Sequence, residues 1–216
     1  MDGATLQSRI YAGYAKAAQR LGLPFSQYRP TTASNLLSAG NLLRSLLASF
    51  NAQDFKYGRP NGYGKPAWYC IADGSLLAPG DYLIGGTGQT YFIAAMQPLL
   101  PILAVECNRT VTVYRPQQQA GVGAVGYGGN TAQNETVLVA GFPASILQGT
   151  RGEKGDANLP GDTRNPWLIV LLPNLPGAIY LRTDDVMIDD LGRRYTFSSA
   201  EQTDLGWRIT AMETVT

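Results

Sequence analysis

The sequence predicts a mainly β chain: two small antiparallel β-barrel or sandwich domains, read as duplicates, preceded by an N-terminal helical segment. Three observations predict it. From Trp68 onward the apolar residues come in short runs divided by Gly, Pro, Asn and Asp, at the intervals of a small antiparallel barrel. One short hairpin is written twice, as DYLIGGTGQTYFI from Asp81 and as DVMIDDLGRRYTF from Asp185. Near the start, apolar residues recur instead at the period of a helix.

That first element places Leu6, Ile10, Tyr14, Ala17 and Leu21 on one stripe, with Arg9, Lys16, Gln19 and Arg20 between them, and Gly22 and Pro24 end it. The helix either packs on its own domain or acts as an arm that docks on a neighbour. A Pro-initiated, extended connection follows in YRPTTASN. Leu36, Leu37, Leu42, Leu43, Leu46, Leu47 and Phe50 then form a second apolar stripe, from about 40 to 50. Residues 1–56 are accordingly read as a helical arm and connector, 57–116 as the first β-domain, and 117–216 as the second, with long loops. Strands of the first domain are expected in WYCIA, DYLIG, TYFIAAM, ILAVEC and RTVTVYR. Those of the second are expected in TVLVAGFPASIL, WLIVLLP, AIYL, DVMID, RRYTFSS and WRITAMETV. Two polar stretches, 117–134 and 148–166, are long enough to carry contacts.

The two copies share Asp81 and Asp185, Ile84 and Ile188, Gly88 and Gly192, and Tyr91 and Tyr195. Past the hairpin, Ile102-Leu103-Ala104-Val105-Glu106 lines up with Ile209-Thr210-Ala211-Met212-Glu213. Alternation predicts Tyr82, Ile84, Tyr91 and Ile93 on one face, and likewise Val186, Ile188, Tyr195 and Phe197. Gly88 and Gly192 end each loop where a positive φ is expected. Asp81 and Asp185 precede a strand, where a short acceptor side chain holds the preceding turn. Each shared residue thus has a structural reason.

Composition narrows the function. The chain is 44% hydrophobic and only 15% charged, with net charge +1, which gives no electrostatic footprint for nucleic acid and a surface suited to burial in an assembly. It has no histidine, the commonest general base and metal ligand. Its two cysteines, Cys70 and Cys107, are too few for a disulfide framework and are read as reduced. Neither a signal peptide nor an apolar run of spanning length is expected, which points to a soluble protein made in a cytoplasm. GVGAVG at Gly121–Gly126 fits a dinucleotide pattern, but no helix pattern follows it. The alternating charges Arg151, Glu153, Lys154, Asp156, Asp162 and Arg164 suit pairing between copies. Asp184, Asp185, Asp189 and Asp190 crowd one hairpin, with Arg193 and Arg194 close enough to neutralise them. Glu201 and Asp204 are one of several carboxylate pairs, and nothing selects it for work on glycans. No catalytic, cofactor-binding or metal-binding residue is assigned, and the chain is read as a non-enzyme.

WYCIADGSLLAPGDYLIGG and TYFIAAMQPLLPILAVECNRTVTVYRP resemble a family of uncharacterised virion proteins of tailed phages and prophages, over residues 26–116. The order VTVYRP, LVAGFPASI, DVMIDDLGRRYTFSSAEQTDLGWRI is similar to the small β-barrel proteins of phage necks: head-completion, stopper and head–tail joining proteins. Pro143-Ala144-Ser145 and Asp185, Ile188, Gly192 and Tyr195 carry that likeness. The extra N-terminal half departs from it. The resemblance implies a ring-forming neck, collar or head–tail connector subunit in the virion, assembled in the host cytoplasm. Its implied partners are itself, portal or head-side connector proteins, and tail terminator, tube or other neck proteins. No membrane is implied, and DNA would be met only through a ring lumen. A tail or baseplate component is the alternative. From another class comes a carbohydrate-binding or hydrolytic β-domain, kept open by twelve tyrosines.

Overall fold

A computed structural model describes residues 2–52, 62–117, 134–149 and 167–214. The chain opens with helix α1 (Gly3–Leu21), whose N-cap Asp2 accepts a hydrogen bond from the Thr5 amide, and which Gly22 ends. Among the described residues twelve strands follow, arranged as two closed six-stranded barrels. Barrel 1 contains β1 (Leu23–Tyr28), β2 (Leu42–Ala52), β3 (Ala67–Ile71), β4 (Tyr82–Gly85), β5 (Thr90–Ala95) and β6 (Ile102–Cys107). Barrel 2 contains β7 (Arg109–Pro116), β8 (Glu135–Gln148), β9 (Trp167–Leu172), β10 (Val186–Asp189), β11 (Arg194–Thr203) and β12 (Gly206–Glu213).

The barrels have one topology. Around barrel 1 the order is β1-β2-β3-β6-β5-β4, and around barrel 2 it is β7-β8-β9-β12-β11-β10, all antiparallel. Correspondence extends to single residues. Ile93 pairs with Ala104 and Phe197 with Ala211, and a β-bulge follows Ile93 and Phe197 alike. The expected alignment of Ile102–Glu106 with Ile209–Glu213 is the one the registers give. Gly88 and Gly192 have φ of 87° and 77°. Gly80 and Asp184 also correspond, at φ of 90° and 70°. Because an L side chain in the left-handed region is strained, Asp184→Gly should raise stability by about 0.5–1 kcal/mol, read by urea denaturation. A loss would show that the Asp184 side chain holds the turn.

The sequence-based organisation needs three corrections. Residues 42–52 are a strand, and β1 and β2 both belong to barrel 1, so the arm and connector end at Gly22 and not at residue 56. Leu46 and Ala48 point inward between Phe25 and Cys70, while Leu43, Ser45 and Leu47 face out. Paired leucines satisfy both the helical and the strand period, and pairing with distant strands decides between them. Next, β7 belongs to barrel 2, which moves the boundary from residue 116 to Asn108. Last, AIYL is not a strand. It lies in the β9–β10 loop, where Leu181 is buried and Tyr180 meets Trp207 edge-on at 5.4 Å, closing that end of the barrel.

The predicted hairpin faces also change. Tyr82 pairs with Phe92 and Leu83 with Tyr91, so Tyr82 and Ile84 face out of the barrel while Tyr91 and Ile93 face in. Val186 likewise opposes Thr196, and Met187 opposes Tyr195. The loops Gly85–Gln89 and Asp189–Arg193 contain an odd number of residues, which shifts the face assignment by one across the turn.

Each barrel interior is apolar. Phe25, Leu46, Cys70, Leu83, Ile93 and Ile102 fill barrel 1, with Phe50 stacked on Tyr91 at 3.7 Å. Cys70 is free and 1% exposed, and burial pushes its thiol up to about 12. A thiol reagent at about pH 8 should therefore label Cys70 only after denaturation. Rapid labelling of the native chain would show that barrel 1 opens.

Candidate interaction surface

The repeated aspartates build the same lock twice. Asp81 is fully buried. It accepts from Arg29 Nε at 2.6 Å and Nη2 at 2.7 Å, from Gln27 Nε2 at 2.7 Å, and from the Ala78 amide at 2.8 Å. Asp185 is also fully buried and accepts from Arg115 Nε and Nη2, both at 2.8 Å, and from the Arg182 amide at 2.9 Å. The expected turn contact is present in both copies, and the arginine is added to it. The arginines sit at the end of each barrel's first strand, Arg29 one residue past β1 and Arg115 next to last in β7, and each guanidinium is held above its ordinary pKa by the carboxylate it grips. Each fork ties the first strand to the fourth, across the seam that closes the barrel.

Sequence reasoning missed the arginines, although a signal was present: Tyr28-Arg29-Pro30 and Tyr114-Arg115-Pro116 are identical. Ala48-Ser49 and Ala144-Ser145 likewise mark the second strand of each barrel. Those two matches extend the repeat to the whole barrel.

The four hairpin aspartates do not converge on one point. Asp185 belongs to the lock, and Asp190 lies 3.9 Å from Arg109. Asp189 is bound by the Arg193 amide and guanidinium and by the Tyr195 hydroxyl at 3.0 Å. Arg194 pairs with Glu135 rather than with an aspartate. Burial alone would raise the Asp189 pKa, but the Arg193 hydrogen bonds and the Tyr195 hydroxyl hold it below the ordinary 3.8. A folded-state pKa below the unfolded one gives stability at neutral pH that is lost as pH falls through the folded value. Asp189→Asn should thus cost about 1–2 kcal/mol at neutral pH, discounted for the partly exposed Arg193, and should flatten the acid limb of the stability curve. An unchanged acid limb would remove Asp189 from the account.

Glu201 and Asp204 are exposed at the β11–β12 turn. The Gly121–Gly126 motif and the charged residues Arg151 to Arg164 lie outside the described residues.

The barrels are joined by shared packing. Tyr82, Phe92 and Val105 on the outer face of barrel 1 belong to one buried cluster with Phe142, Ala144 and Ile146 of barrel 2. The Tyr82 hydroxyl donates to the Pro143 carbonyl at 2.9 Å, and its ring meets Phe142 edge-on at 6.1 Å. Asn108, alone between β6 and β7, bonds the Ile146 carbonyl and amide through its side chain, both at 2.8 Å. The β1–β2 connection reaches over as well: the Ala140 amide donates to the Ala33 carbonyl at 2.8 Å, and Leu36 is fully buried. The two barrels therefore form one packed body.

Helix α1 docks on its own barrel. Tyr11 and Tyr14 pack against the barrel 1 core, Tyr11 lies against Gly74, and Gln7 accepts from the Leu99 amide. This uses the Tyr11–Tyr14–Ala18 side of the helix, so Leu6 and Leu21 at the ends of the predicted stripe stay exposed. Leu21 and Leu23 are exposed where the helix meets β1, and on β2 Leu47, opposite Pro24, and Leu42 and Leu43, toward the Tyr28 end of β1, are exposed as well. This is a leucine-rich surface on one side of barrel 1.

Compared with family models, curated proteins and solved structures, the chain matches none.

Proposed function

We propose that the chain is a structural virion protein of a tailed phage: a ring-forming neck, collar or head–tail connector subunit that links the portal side of the head to the tail. The observation that carries this reading is the leucine surface of barrel 1, formed by Leu21, Leu23, Leu42, Leu43 and Leu47 beside the docked helix. Exposed leucines grouped along one strand of an otherwise well-packed body mark a site of association. The rigid two-barrel body supports the same reading, since a ring subunit transmits load through fixed contacts. The resemblance of the 185–197 hairpin and of Pro143-Ala144-Ser145 to neck proteins is what favours the neck over other positions in the virion. In this role the Asp–Arg locks hold barrel shape, and the surfaces do the work.

The test is light scattering with negative-stain imaging, on the chain alone and then mixed with portal. Closed rings alone, or rings formed on the portal, are the expected result. Failure to bind portal, together with binding to baseplate proteins or glycans, overturns the neck assignment.

A further inference from the structure

We infer that copies of this chain associate head to tail, barrel 2 of one copy seated on the β1–β2 face of barrel 1 of the next. The contact repeats, between chains, the contact that barrel 1 makes with barrel 2 inside the chain. It deepens the assembly reading above by naming the surfaces and the partner.

The argument starts from the duplication. Inside the chain, barrel 1 covers the outer face of β8. Its outward positions Pro143 and Ser145 are buried, and Ala33 and Ser34 lie across Ala140. The matching registers give the equivalent positions in barrel 1. Leu23 pairs with Ala48 as Arg109 pairs with Ala144, so Leu47 stands where Pro143 stands, and Ser45 where Gly141 stands. In barrel 1 that face is open: Leu42 through Ser45 are exposed, and Leu47 is 38% exposed where Pro143 is buried. Helix α1 lies against β2 and β3, and its end at Gly22 reaches Leu47 and Ala48. The same outer-face positions are thus filled in one barrel and unfilled, yet leucine-rich, in its duplicate.

The complementary face also has a counterpart. Barrel 1 presents Tyr82, Phe92 and Val105 to barrel 2. Their equivalents in barrel 2 are Val186, Thr196 and Met212; Val186 is buried within the chain and Thr196 half-buried, and Met212, 46% exposed, is the open position. Charge favours the pairing. Residues 1–107 carry eight Lys and Arg against five Asp and Glu, whereas residues 108–216 carry nine against eleven. The first half is net positive and the second net negative, so unlike halves attract and like halves repel. A heterologous contact of this kind joins unlike surfaces and closes into a ring when its rotation permits.

The test uses two single-cysteine additions, Ser45→Cys and Met212→Cys, both at exposed positions, with a short bis-maleimide cross-linker. A mixture of the two chains should give a cross-linked heterodimer, and neither chain alone should. Leu43→Asp should abolish the product and leave the circular dichroism spectrum unchanged. A homodimer from Ser45→Cys alone would mean a two-fold contact and overturn the proposal. So would oligomers in light scattering without the mixed product, and so would a chain that stays monomeric and uncross-linked at the highest attainable concentration. Portal-templated rings that form without the mixed product would sink this contact while leaving the neck reading intact.

Discussion

Replacing Asp185 by alanine lowers the unfolding free energy by about 3 kcal/mol. The carboxylate is fully buried and holds three donors: two from the Arg115 fork and one from the Arg182 amide. Alanine leaves the fork and the amide without their acceptor, and a buried unsatisfied donor is more costly than the bond was favourable. The effect sits at the low end for a broken buried pair because the Arg115 side chain is 27% exposed and regains some water. Asp81→Ala should lose a similar amount. Arg29 is more exposed at 44%, but Asp81 also holds Gln27, whose side chain is buried and whose Oε1 has no partner. Urea denaturation reads both. A loss below about 1 kcal/mol in either variant would mean that the locks are ornament to barrels closed by their strands alone.

Phe142→Ala should cost about 3–5 kcal/mol and should still unfold in one transition. The ring is fully buried in the cluster that both barrels share, edge-on to Tyr82. Truncation leaves a cavity that the closed barrel cannot collapse around, because strand pairings on all sides hold its wall. A shared core also makes the loss common property: barrel 1 gives up Tyr82 packing as barrel 2 gives up its own. Two separate transitions, with only one of them shifted, would show that the barrels are independent and that the joint is a surface contact.

The fold was legible where local signals were strong. Turn residues bounded short apolar runs, and the ten-residue spacing between Asp81 and Tyr91, and again between Asp185 and Tyr195, made the repeated hairpin visible. The glycines at the loop ends could be read because a left-handed backbone has few other tenants. Much less of the surface was legible. The apolar stripe of β2 fits the helical and the strand period alike, and only pairing with Phe25 and Cys70 selects the strand. Arg29 and Arg115 gave no local sign of a role, since each acts on a carboxylate far along the chain. Their signal was the Tyr-Arg-Pro repeat, which becomes legible only when the search for duplication extends past the hairpin.

By itself the sequence determined that this is a β protein built twice, with a helix in front, because turn chemistry, alternation and repetition are properties of neighbouring residues. Tertiary structure alone decided where one barrel ends and the next begins, because closure depends on β1 meeting β4 and β7 meeting β10. It also decided which leucines are core and which are surface. That choice follows from which face of β2 the barrel encloses, and the enclosed face is set by strands that lie far away in the chain.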